Sequence, residues 1–234
     1  MSRIFLTGAA RGLGRAITLD LLTRGHQVFA TDIAPISDHH ERLVTSTCDV
    51  TSESSVHDAV SAAVREFGGL DGVVNSAGLI EVTRKPAHDV SPAEFDKVMA
   101  VNAKGTWLVC RATIPVLSAR GGGSIVTIAS ETAFSGSQHF AHYVASKSAV
   151  IGLTRAFAKE AGPLGIRVNA IAPGYTDTEG GRTIGDPATY DTSATPLGRV
   201  ALPTDMTGAC AFLLSDDSAF ISGQILMING GRVT

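Results

Sequence analysis

Ile4-Phe5-Leu6-Thr7-Gly8-Ala9-Ala10-Arg11-Gly12-Leu13-Gly14 is a short apolar run that stops at a glycine and turns at once into a helical pattern. Strand, glycine-rich turn and helix in immediate succession make the first βα unit of the chain. Glycine there lets the backbone approach a ligand closely. The helix that follows offers unpaired N–H groups and a positive dipole end, which suit a pyrophosphate. The spacing Gly8-x3-Gly12-x-Gly14 departs from the usual Gly-x-Gly-x-x-Gly fingerprint, so a tight strand-to-helix turn without a ligand stands beside that reading.

The same alternation continues along the chain. Strand-like runs fall at Ile4 to Thr7, Gln27 to Thr31, Leu43 to Cys48, Gly72 to Asn75, Ser124 to Ala129, Ile166 to Ile171 and Gln224 to Ile228. Helical stretches begin near Leu13, Ser54, Ser91, Tyr143 and Pro203. Runs such as Ile125-Val126-Thr127-Ile128-Ala129 are apolar without strict alternation, as strands covered on both faces are. Repeated βα units with right-handed crossovers predict a single α/β domain over residues 1–234, of the Rossmann type. It is a doubly wound, seven-stranded parallel sheet with helices on both faces. The segment from Pro173 to Leu202 is too long for an ordinary connection and is expected to supply a lid or substrate loop at about 178–202.

Composition agrees. Of 234 residues, 44% are hydrophobic and only 18% charged, enough apolar material for a sizeable core. The 25 glycines exceed the usual share of about 7% and show no Gly-X-Y period, so they must serve particular turns. A formal charge of -3 gives no electrostatic footprint for nucleic acid or an anionic membrane, and a small-molecule partner is expected instead. Cys48, Cys110 and Cys210 have neither disulfide nor metal-ligand spacing and suit reduced thiols. With no signal-peptide pattern and no apolar run near the roughly 20 residues of a membrane span, a cytoplasmic protein is expected.

Asp32 closes the second strand 18 residues beyond Gly14, close to the spacing of about 20 at which an acid binds the adenosine ribose 2′-OH. Its charge repels a 2′-phosphate and favours NAD over NADP. Arg11, in the glycine turn, could greet that phosphate, or could be a solvated side chain. Further strand ends bring Cys48-Asp49-Val50, Asn75-Ser76-Ala77-Gly78, Ser130 and Pro173-Gly174 to one sheet edge, where open α/β sheets bind ligands. Singly, Asp49 reads as a turn former and Asn75 and Ser130 as caps.

Taken together, Thr7 to Gly14, Asn75-Ser76-Ala77-Gly78, Asn102, Ser130, Tyr143-Val144-Ala145-Ser146-Lys147, Pro173-Gly174 and Asn229-Gly230-Gly231 make the chain resemble the short-chain dehydrogenase/reductase (SDR) family over nearly its whole length. The resemblance implies an NAD(P)-dependent oxidoreductase with a catalytic tetrad of Asn102, Ser130, Tyr143 and Lys147. It implies cofactor contacts at Gly8, Arg11, Gly12, Leu13, Gly14, Asp32, Ile33, Asp49, Val50, Asn75, Ala77, Gly78, Tyr143, Lys147, Pro173, Gly174, Thr176 and Thr178. Ser76 stands where the family usually has a second asparagine, a departure confined to a turn. Substrate contacts are expected at Ser130, Glu131, Thr132, Gln138, His139, Tyr143 and Tyr175. His139 and His142 have no carboxylate or cysteine at ligand spacing, and no metal is expected.

The implied reaction interconverts a secondary alcohol and its ketone. A 3-oxoacyl-carrier-protein reductase using NADPH is the enzymatic alternative, which Pro196-Leu197-Gly198-Arg199 also resembles. Ser124 and Leu164 stand where such reductases commonly place carrier-docking arginines. Outside the enzymes, a non-catalytic NAD-binding regulator would tolerate loss of the tyrosine or lysine, and both are present. The family's habit of self-association implies a homotetramer or homodimer.

Tyr143 and Lys147 stand four apart and so share a helix face. A free tyrosine titrates near 10, too high for an efficient base at neutral pH. A lysine charge about 4 Å away, at an effective dielectric near 20, is worth about 4 kcal/mol, or roughly three pKa units. The expectation is therefore a phenol drawn toward neutrality by Lys147, with oxidised nicotinamide adding positive charge in the same direction.

Overall fold

The structure is a computed structural model that describes residues 1–233. In chain order it comprises β1 (Arg3–Thr7), α1 (Gly12–Thr23), β2 (Gln27–Asp32), β3 (Leu43–Thr47), α2 (Glu53–Phe67), β4 (Gly72–Asn75), α3 (Pro92–Met99) and α4 (Gly105–Ser118). There follow β5 (Gly123–Ile128), α5 (Thr132–Ser135), α6 (Ala141–Ala161), β6 (Ile166–Pro173), α7 (Glu179–Arg182), α8 (Thr204–Leu214) and β7 (Ile225–Ile228). The seven strands form one sheet in the order β3-β2-β1-β4-β5-β6-β7. Every neighbouring pair is parallel.

Successive strand residues point to opposite faces, and both faces are covered. Phe5, Val73 and Ile125 bury into the core beneath α2, α4 and α6. Their immediate neighbours Leu6, Val74 and Val126 bury into a second core beneath α1 and α8. This two-sided burial explains why the central strands are apolar at nearly every position. Each fully buried large side chain contributes about 1.5–3 kcal/mol. The strand order reverses between β1 and β4, which opens a crevice at their C-terminal ends.

Several boundaries differ from the sequence reading. Ser91, near which a helix is expected, is the N-cap of α3 and forms a reciprocal capping box with Glu94. The single helix expected from Ser91 is α3 and α4 joined through a π-helical turn, Ala100–Lys104, whose extra residue sets Asn102 in a buried position. Helix α6 begins at Ala141, two residues before Tyr143. Strand β6 runs on to Pro173, because the carbonyl of that proline still accepts from Glu131 N–H at 3.0 Å. The segment read as irregular contains α7 and a bridge between Thr176 and Ala201.

Candidate active site

A cleft of about 970 Å³ runs along the C-terminal edge of the sheet and joins the glycine turn to the Ser130–Tyr143–Lys147 region. Of the residues singled out from sequence, the cleft is lined by all but Asn75, Asn102, Gln138 and His139.

At one end, β1 turns beneath the loop after β4. A Cβ on Gly14 would stand 1.9 Å from the Gly8 carbonyl oxygen, and one on Gly8, where φ is +76°, would stand 2.7 Å from the Ala77 backbone. Only glycine fits both positions. Helix α1 starts with no side-chain cap and no acidic residue in its first turn. By contrast, α2 is capped by Ser52, and Glu94 sits in the first turn of α3. The orphan donors of α1 are left for an anion in the cleft, so these residues fit a dinucleotide pyrophosphate.

Asp32 stands at the mouth. Its two carboxylate oxygens accept from Ala10 N–H and Ala34 N–H, each at 3.0 Å, and keep lone pairs to spare. Arg11 is drawn across the cleft into an ion pair with Glu81 at 2.6 Å, a partner that sequence spacing gave no signal for. Asp49 accepts from both Thr51 N–H (2.8 Å) and Thr51 Oγ1 (2.7 Å), as its reading as a turn former anticipates. Thr178 caps α7 by accepting from Gly181 N–H at 2.8 Å.

At the other end, the Tyr143 ring stacks on Phe140 at 4.5 Å between centroids, so the packing of α6 orients the phenol. Lys147 Nζ donates to the Ile128 carbonyl at 2.8 Å, at the end of β5. Ser130 Oγ is 3.0 Å from Thr132 Oγ1. Burial pushes the Tyr143 phenol up to about 12, with the Ser130 hydroxyl opposing, and pushes the Lys147 amine down to about 8. Within the chain alone, burial outweighs the draw of Lys147 on the phenol. The ammonium points at a carbonyl, 5.8 Å from the tyrosine ring centroid, and desolvation outweighs it.

Four predicted residues sit elsewhere, for identifiable reasons. Asn75 is buried behind the cleft wall, where its Oδ1 accepts from Thr7 Oγ1 and its Nδ2 donates to the Thr106 carbonyl. Asn102 lies behind the loop that follows β4: Oδ1 accepts from Leu79 N–H at 2.7 Å, and Nδ2 donates to the Leu79 carbonyl and to Ser146 Oγ. Gln138 and His139 are exposed in the loop before α6, where His139 takes a left-handed φ of 61°. Sequence reading also missed Tyr190 and Arg232 in the cleft wall, since neither belongs to a motif.

Fold and cleft together define a nicotinamide-dinucleotide oxidoreductase. A family profile described as enoyl-(acyl carrier protein) reductase matches residues 8–232. The chain is 36% identical to D-threitol dehydrogenase of Mycolicibacterium smegmatis, covering 97% of this chain and 90% of that one. It is 37% identical to cis-4-hydroxycyclohexanecarboxylate dehydrogenase of Sinomonas cyclohexanicum, covering 97% and 94%. The crystal structure of 3-ketoacyl-(acyl-carrier-protein) reductase from Brucella melitensis complexed with NADH superposes with a TM-score of 0.92 at 30% identity, over 98% of this chain and 97% of that one. The chain belongs to the short-chain dehydrogenase/reductase family and is an NAD(P)-dependent oxidoreductase. Among the described residues, no helix is long and apolar enough to cross a membrane.

Proposed function

We propose that this protein interconverts a secondary alcohol and its ketone with NAD(H), using Tyr143 as the general acid/base. The observation that supports it is one continuous cleft holding both the glycine turn and Ser130, Tyr143 and Lys147. When bound, the nicotinamide supplies or accepts the hydride. In the reductive direction the neutral Tyr143 hydroxyl gives its proton to the carbonyl oxygen as the carbon–oxygen π pair moves onto that oxygen. Ser130 Oγ hydrogen-bonds the same oxygen. Lys147 contributes positive charge beside the phenol and holds the nicotinamide ribose. Asn102 is a positioning residue: it fixes the Leu79 backbone through two hydrogen bonds and reaches α6 through Ser146.

NAD is the favoured cofactor because Asp32 lines the cleft where a 2′-phosphate would meet its charge, while Arg11 is engaged by Glu81. Hydrogen bonds to a charged group contribute about 1.5–3 kcal/mol, or roughly 10–150-fold. Replacing Asp32 with Ala is accordingly expected to weaken NAD(H) binding about tenfold or more while narrowing the preference over NADP(H). Fluorescence titration with both cofactors checks this, and an unchanged ratio would remove Asp32 as the selector.

Residues 178–202 are proposed as the lid, with Tyr175 stacked on Tyr190 of that segment at 4.2 Å. Three buried, unpaired cysteines support a reducing, cytoplasmic setting. A homotetramer or homodimer is proposed from the family alone. The relatives' names, a polyol dehydrogenase and a cyclic alcohol dehydrogenase among them, support a small alcohol as substrate. The decisive experiment is a turnover screen of secondary alcohols, ketones and acyl thioesters with NAD(H) and NADP(H) in parallel. Activity confined to thioesters with NADPH would replace this reading with the carrier-protein reductase.

A further inference from the structure

Glu131 follows Ser130 directly, and its N–H donates to the Pro173 carbonyl at 3.0 Å, so it sits where β5 and β6 end. The residue is only 6% exposed and lines the cleft, yet its Oε2 is buried with no hydrogen-bond partner among the described residues. A buried carboxylate oxygen without a donor is costly, and few native groups are left so. Gly174 presents no side chain, and a Cβ there would stand 3.3 Å from Glu131 Oε2 and 2.9 Å from Asn229 Cβ.

The remaining walls are polar and aromatic. Arg232 acts on Glu131 through charge but forms no ion pair with it among the described residues. Its guanidinium is held by the Asp191 carbonyl at 3.1 Å and Thr195 Oγ1 at 3.2 Å, over the Tyr190 ring. An acceptor oxygen lacking a donor thus shares the cleft wall with a fixed cation whose charge acts on it and with the stacked Tyr175 and Tyr190. A ketone or ether oxygen offers Glu131 no donor, and an ammonium would meet Arg232. A hydroxyl can donate to Glu131 and still accept.

We propose that Glu131 is a specificity-determining residue that accepts a hydrogen bond from a second substrate hydroxyl, next to the carbinol held by Ser130, so that the substrate class is a vicinal diol or its α-hydroxy ketone. The inference rests on the alcohol–ketone function proposed above. Burial holds the Glu131 carboxyl above the usual carboxylate range, with the Asn229 side chain, Arg232 and the Tyr175 backbone opposing.

The test compares 2,3-butanediol with 2-butanol, which share a carbon skeleton, under NAD+. Wild type is expected to favour the diol in kcat/KM by about tenfold or more. Glu131→Leu lowers that diol-to-alcohol ratio by about the same factor, and Glu131→Gln, whose amide oxygen still accepts, falls between them. NADH affinity, read by fluorescence, stays within about twofold, and the Gln variant serves the test should the Leu variant melt early. Equal losses on both substrates, an unchanged ratio, or NADH affinity falling in step overturn the proposal and leave the alcohol–ketone function standing. Wild type that oxidises neither compound nor any other secondary alcohol overturns that function, and this proposal with it.

Discussion

Replacing Tyr143 with Phe is expected to remove about 10²–10⁴-fold of turnover, the usual worth of a positioned general acid/base, while the fold and cofactor binding persist. The ring is what packs: it stacks on Phe140 at 4.5 Å and 22°, and phenylalanine fills the same space. The hydroxyl contributes little to that packing, and Ser130 Oγ retains Thr132 Oγ1 at 3.0 Å when the phenol is gone. Loss should therefore appear in kcat, with NAD(H) affinity within about threefold and the melting temperature nearly unchanged. Steady-state kinetics alongside a thermal melt separate these effects. Turnover within tenfold of wild type would assign the proton transfer to another group.

Much of this site is legible in the sequence, because its chemistry admits few residue types. The turn from Gly8 to Gly14 can be read because a Cβ at Gly14 would collide with the Gly8 carbonyl. The strands could be read from residues such as Phe5 and Leu6, which bury on opposite faces and leave an uninterrupted apolar run. What stayed hidden depends on long-range partners. Arg11 could not be decided between phosphate and solvent, because its partner Glu81 lies 70 positions along the chain on a loop without regular structure. Gln138 and His139 lie close in sequence to Tyr143, but the left-handed backbone at His139 belongs to a loop in which both are exposed. Tyr143 and Lys147 share a face of α6, as their spacing of four implies, while burial dominates the titration of both within the chain alone. Spacing shows that two side chains share a face, but gives neither the depth of their burial nor the carbonyl that captures the amine.

That burial makes Lys147 the source of the second large effect. Its amine titrates near 10.5 when exposed and is pushed down to about 8 in the folded chain. Between those values the unfolded chain binds the extra proton. Stability attributable to this lysine therefore rises as pH increases through the window and is lowest below it. Two to three pKa units correspond to roughly 3 kcal/mol. Chemical denaturation of wild type and Lys147→Met at pH 7 to 10.5 should show wild type gaining up to about 3 kcal/mol on the variant across that range. The pH dependence isolates the charge, since the lost hydrogen bond to the Ile128 carbonyl shifts the variant by the same amount at every pH. The same titration governs catalysis with the opposite sign. Ketone reduction is expected to weaken above about pH 8 as the ammonium is lost, and Lys147→Met to lose both that limb and about 10²–10⁴-fold of kcat/KM. A variant that keeps the alkaline limb, or whose stability tracks wild type at every pH, would show that Lys147 is not the group that titrates. Burial thus costs stability at neutral pH and places the amine's titration where catalysis can use it, so a lysine kept at this depth is explained by function rather than by folding.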